Sequence, residues 1–205
     1  MIKDFIFEII DIFEYSSKYM FKSEEKYSIY FQTLFLSAIS LLFAPLLILT
    51  GYIVNVRKYA MKQKDEMPKL ENYSDLIDES KGMLFTYSPI YIMILLSFVF
   101  MFFIPPLLII VFICIYVLPA VGLMYSNSNH YKKTYNERFF NIIKSKIYFK
   151  IFVIYTIIMV YLLMITMIIT LFTLGFGIIL MIPLILYIRP IFWGYMYREK
   201  ELYKL

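Results

Sequence analysis

The chain has 205 residues, of which 61% are hydrophobic, 20% aromatic and only 17% charged, with a formal net charge of +5. Soluble domains are roughly 45–50% apolar and about 25% charged, so this composition excludes a soluble globular or disordered chain and makes a lipid bilayer the expected solvent. A single cysteine, Cys114, excludes an internal disulfide and is expected to pack as a small apolar residue.

Residues 1–26 open the chain with an amphipathic pattern. Ile2, Phe5, Ile6, Ile9, Ile10 and Phe13 recur at helical spacing, while Lys3, Asp4, Glu8, Asp11 and Glu14 take the opposite face. Such a helix lies in the membrane interface. Acids at every turn leave no continuous apolar core for a secretory signal, so the first span is expected to act as the insertion signal and to be retained.

Asp, Glu, Lys and Arg are absent from residues 27–56, 82–131 and 151–188, runs of 30, 50 and 38 residues. A hydrocarbon core of about 30 Å takes roughly 20 helical residues to cross, so the runs hold one, two and two crossings. The second run breaks at Pro105-Pro106, where two donors are missing, and the third at Gly175-Phe176-Gly177. The expected fold is all-α and polytopic, a single membrane domain with about five transmembrane helices near 31–54, 84–103, 106–126, 149–172 and 177–197. A second topology is open as well. Pro45 lies near the middle of the first run and would let it fold as a broken, re-entrant hairpin, provided its freed backbone groups are covered by neighbouring helices.

Orientation follows from the charges between the runs. Residues 57–81, 130–150 and 189–205 hold six, six and four of the 20 Lys and Arg residues, and the first 26 hold four, offset by six acids. Basic residues in short loops stay cytoplasmic, which places those three blocks and the C-terminus in the cytoplasm of a multi-pass cell-membrane protein. Five crossings then put the N-terminus outside; a re-entrant first run makes all four charged blocks cytoplasmic.

Two shorter segments lead into spans. Ser74 is a candidate N-cap ahead of Leu76 and Ile77. In 136–150, Phe139, Phe140, Ile143 and Ile147 form one side of an amphipathic helix and Arg138, Lys144 and Lys146 the other. Basic residues near a bilayer surface are drawn to anionic headgroups by about 1 kcal/mol each, so Lys144 and Lys146 are expected interfacial anchors, and the same helix fits an acidic soluble partner.

A theme recurs at residues 43–60 and 181–200: a proline inside an apolar helix (Pro45, Pro183), then Gly51-Tyr52 or Gly194-Tyr195, then Arg57 or Arg198. Proline bends such helices, glycine admits a neighbouring helix, tyrosine suits headgroup depth and arginine pairs with phosphate. Tyr52, Arg57, Tyr195 and Arg198 are accordingly read as cytoplasmic-end anchors. The stretch from Gly51-Tyr52 through Arg57 and then Pro68, Tyr73 and Gly82 resembles a family of prokaryotic, largely archaeal, multi-pass integral membrane proteins of unknown function. The motif covers about 35 residues, and Tyr73 stands where that family usually has a nearby tryptophan. The resemblance implies a fold and a location, with no substrate.

Chemistry-bearing groups are sparse. One histidine, one cysteine and no carboxylate in any charge-free run give no ligand set for metal hydrolysis, and no cofactor motif occurs. His130 reads as a solvated loop residue, and Asp75, Asp78 and Glu79 as a solvated helix face. Arg189 is the one charge expected inside a span, either gripping an anion or lipid phosphate or snorkelling to the headgroups. The positive charge needs no nucleic acid, since cytoplasmic loops account for it. The expected function is that of a non-enzymatic membrane subunit or scaffold, in contact with anionic lipids and a membrane or soluble protein partner. The alternative is a small-solute, anion or lipid transport protein with a cavity near Arg189.

Overall fold

The structure is a computed structural model that describes residues 10, 11, 14, 15, 19, 25–38, 43–64, 66–100, 104, 106–128, 130–173 and 176–205. Most of the predicted N-terminal amphipathic helix and the two predicted hairpin breaks lie outside them, wholly or in part. Among the described residues the secondary structure is helical, with no strand: α1 (Lys26–Ala38), α2 (Phe43–Met61), α3 (Tyr73–Phe100), α4 (Leu107–Ser128), α5 (Tyr131–Thr134), α6 (Glu137–Lys144), α7 (Lys146–Phe172) and α8 (Phe176–Glu199), then a 3-10 turn at Leu202–Lys204. The all-α expectation holds.

Helices α3, α4, α7 and the Gly177–Glu199 part of α8 are long and apolar enough to cross a membrane. Much of their apolar surface points outward. Leu171 is 77% and Phe172 86% exposed, and Leu95 and Phe112 also face away from the protein. A surface of this kind is costly in water and suited to lipid.

The first apolar run differs from the single crossing of the five-span reading. It forms two helices, α1 of 13 residues and α2 of 19, with residues 39–42 between them. At 1.5 Å per residue α1 is about 20 Å long, short of a bilayer core. The chain on either side of the run also meets: Lys69, beyond α2, pairs with Glu25, ahead of α1, at 2.6 Å. Tyr15 packs on Tyr195 with ring centroids 4.0 Å apart. The run thus brings its two flanks together, an arrangement that fits the re-entrant alternative. Thr33 of α1 shares a hydrogen bond with Tyr187 of α8, a polar tie that a lone crossing beside Pro45 would not need.

Helix α2 is the hub, packed against both α3 and α8. The two glycines of the repeated theme make this possible. A methyl group at Gly51 would overlap the Leu76 backbone of α3, and one at Gly194 would lie 2.7 Å from both Ala60 Cβ and the Arg57 carbonyl oxygen. Around the hub, Trp193 stacks near Tyr148 and Tyr155, each with centroids 5.4 Å away.

Helix α6 is amphipathic with a different buried side from the one expected. Phe139 and Ile142 are buried, whereas Phe140 is exposed. The cause is a break in period at Ser145. Its backbone N–H closes α6 on the Ile142 carbonyl at 3.0 Å, and its hydroxyl caps α7 by accepting from the Tyr148 N–H at 3.0 Å. Asn136 caps the start of α6 in the same way, accepting from the Phe139 N–H at 3.0 Å. Since α7 starts afresh, Ile147 does not continue the α6 face.

Candidate anion site

The charged blocks that the sequence separates converge. Arg138 of α6 donates to the Tyr197 hydroxyl at 2.9 Å and to the Tyr203 carbonyl, Asn141 donates to the Leu205 carbonyl at 3.3 Å, and Tyr135 donates to the Thr86 carbonyl at 2.5 Å. Where α2, α4, α6 and α8 meet, they leave a cavity of about 380 Å³.

Four cations line it: Lys58 and Lys62 at the end of α2, Arg138, and Arg198. Lys58 is compensated by Glu79 at 2.6 Å, with both side chains mostly buried. No carboxylate belongs to the lining. Asn127 adds an amide that can donate or accept, and the hydroxyls have protons to give. Tyr197 accepts from Arg138 and keeps its own proton to give; Ser126 accepts from Arg57 at 3.2 Å and keeps its own likewise. The Arg138 Nε is buried without a partner among the described residues. Unpaired cations and hydroxyl donors with no acceptor of their own suit an oxyanion such as phosphate or carboxylate.

Behind the Ser126 wall lies Arg57, only 3% exposed. Its guanidinium rests on Gly122, where a methyl group would overlap both Arg57 and the Tyr87 hydroxyl. Its Nε has no hydrogen-bond partner among the described residues. This is far from the headgroup anchor expected of Arg57, and Tyr52 departs in the same way: it is fully buried and donates to the Pro68 carbonyl at 2.6 Å. Both face the protein because Gly51 draws α2 against α3.

The other anchors sit outside. Arg198 is exposed and lies over the Tyr203 ring at 4.8 Å, Lys144 and Lys146 are exposed, and Tyr195 is half-buried against Tyr15. Arg189 is half-buried on α8, apart from the cavity, with its charge acting on Arg57 and Tyr155. The acidic cluster is dispersed into ion pairs, Glu79 with Lys58 and Asp78 with Lys81 at 2.8 Å. Among the described residues no group of three or more His, Cys, Asp or Glu could hold a metal ion. His130 is exposed and its carbonyl accepts from Thr134 at 3.2 Å. Sequence reasoning placed Arg138 on a basic helix face but missed Lys62, Ser126 and Tyr197 as its neighbours, since they come from separate segments and share no spacing.

The fold defines the class: an all-α protein with four helices long and apolar enough to cross a membrane. No family model matches the chain, no curated protein matches it, and no solved structure matches it.

Proposed function

We propose that the chain is a non-enzymatic, multi-pass cell-membrane protein that holds the phosphate-bearing headgroup of an anionic lipid in the cavity between α2, α4, α6 and α8. The observation that carries this reading is the lining itself, with Lys62, Arg138 and Arg198 turned to a space that contains no carboxylate. Positive-inside retention makes this charged region cytoplasmic, so the site lies at the inner leaflet, where anionic headgroups are available. The role is that of a membrane component organised around bound lipid within a larger membrane system. The exposed Lys144 and Lys146 extend the same basic surface towards lipid or an acidic partner. Membership of the archaeal family resembled by residues 51–82 belongs to this proposal and adds only the membrane location.

The test is lipid binding by the purified full chain, measured by native mass spectrometry with phosphatidylglycerol against phosphatidylcholine. Lys62 and Arg198 are exposed, so Lys62→Gln with Arg198→Gln should leave folding intact. At about 1 kcal/mol for each basic residue, the pair should weaken retention of phosphatidylglycerol by roughly 30-fold. Equal retention of the two lipids by the unaltered chain, or no loss in the double variant, sinks the reading.

A further inference from the structure

A second cavity, also of about 380 Å³, lies between α1, the loop after α2 and α8, and shares no lining residue with the first. Ile29, Met67 and Tyr187, all buried, form its inner wall, and Tyr27 and Phe31, 69% and 65% exposed, form its outer lip. The inner wall makes no polar demand. The Tyr187 hydroxyl shares a hydrogen bond with Thr33, and the Tyr187 ring packs edge to face on Tyr52 at 5.8 Å. Tyr52 in turn donates to the Pro68 carbonyl at 2.6 Å, which holds the Met67 segment in place. Such a preformed apolar space offers water few partners and suits a hydrocarbon chain.

One end of the cavity differs. Lys26, the first residue of α1, belongs to the lining, is half-buried, and sets its ammonium 5.4 Å from the centre of the Tyr27 ring. Among the described residues no carboxylate pairs with it: the neighbouring Glu25 is held by Lys69 at 2.6 Å, and no carboxylate lines the cavity. That ion pair marks the charged flank of α1, whereas Tyr187 stands about 18 Å short of the end of α8 at Glu199. The cavity therefore runs from a cation at a charged flank to apolar side chains deep in the helix packing.

We propose that this cavity binds one single-chain amphiphile of the long-chain carboxylate class, with its carboxylate on Lys26 and its chain along Ile29 and Tyr187. Charge complementarity selects the head, because a lone ammonium balances one negative charge. The volume, near the low end of the roughly 300–1,000 Å³ of small-ligand pockets, suits one chain and not the two of a diacyl lipid. The exposed lip leaves a side entrance for it. This site is separate from the headgroup cavity and does not rest on the lipid reading.

The experiment is equilibrium binding of oleate, and of oleyl alcohol, which has the same chain without the charge, to the full chain in phosphatidylcholine nanodiscs, each measured against empty nanodiscs. Oleate should bind saturably, one per protein and roughly fivefold tighter than the alcohol, and Lys26→Gln should abolish that difference by weakening oleate alone. Lys62→Gln with Arg198→Gln should leave oleate binding unchanged. Equal affinities for the two probes overturn the proposal, as does loss of oleate in the Lys62 and Arg198 variant, which would seat the carboxylate in the first cavity. Displacement of oleate by an equal concentration of phosphatidylglycerol also overturns it, since the occupant would then be a chain of a two-chain lipid. Photo-crosslinking of the unaltered chain with a long-chain carboxylate carrying a terminal diazirine gives an independent decision. Adducts at Ile29, Met67 or Tyr187 support the site, and adducts confined to outward-facing side chains such as Leu95 and Leu171 overturn it.

Discussion

Ser145 shows how one side chain sets two elements. It stops α6 with its backbone N–H and starts α7 with its hydroxyl, so the amphipathic α6 can lie flat while α7 turns away. A lost N-cap costs about 1 kcal/mol, which for a chain of this size is roughly 2–4 °C in Tm. Ser145→Ala is expected to lower Tm by that amount, read by thermal unfolding in detergent, and Ser145→Asp to restore it. An unchanged Tm for the alanine variant would show that packing of Tyr148 alone fixes the junction. Tyr52 and Arg57 teach a different lesson at the same scale. Tyrosine and arginine near the end of an apolar helix are usual headgroup anchors, yet both are buried here because the residue beside Tyr52 is a glycine packed on a backbone.

At the scale of elements, the packing of α2 depends on Gly51 and Gly194. A β-carbon at Gly51 would lie 1.9 Å from the Leu76 carbonyl oxygen and leaves no room without moving one helix, whereas one at Gly194 would overlap less severely, at 2.7 Å from the Ala60 methyl and the Arg57 carbonyl oxygen. Gly51→Ala should therefore be the more damaging substitution, by about 1–3 kcal/mol of overpacking strain, and Gly194→Ala the milder. Unfolding midpoints of the two variants test the order; equal losses would mean that α2 shifts as a whole. Gly51→Ala should also change the surroundings of Arg57, since both ride on the same helix.

For the whole molecule the decisive feature is that the chain ahead of α1 meets the loop after α2. Cysteine labelling checks this in membranes, using Cys114→Ser as background and an impermeant thiol reagent. Cysteines at Glu25 and Lys69 should react from the same side, and both from the cytoplasmic side, with a cysteine at Ile104 reacting from the other. Labelling of the Glu25 position from outside and the Lys69 position from inside would restore a single crossing for the first run. Helix α2 can carry Arg57 and Lys58 near apolar surroundings because it is packed against α3 and α8, so lipid does not have to solvate it.

The all-α class, the long apolar helices and their approximate extents were fixed by the sequence, because charge-free runs of such length have only one economical structure in lipid, where each backbone donor must be met within the helix. The four charged blocks were legible for the same reason. Tertiary structure alone decided that the first run is two helices whose flanks meet, since Pro45 permits either outcome and the Glu25–Lys69 and Thr33–Tyr187 ties come from residues that no local pattern connects. It also decided which cations face a cavity: Lys62, Arg138 and Arg198 are distant in the chain, and what unites them is the packing of α2, α6 and α8. Burial of Arg57 was hidden likewise, because it depends on Gly122 and Ser126, residues of another helix more than 60 positions away. Hydropathy and period report what each helix offers its surroundings; which helix becomes those surroundings is settled by close packing between segments that no local pattern connects.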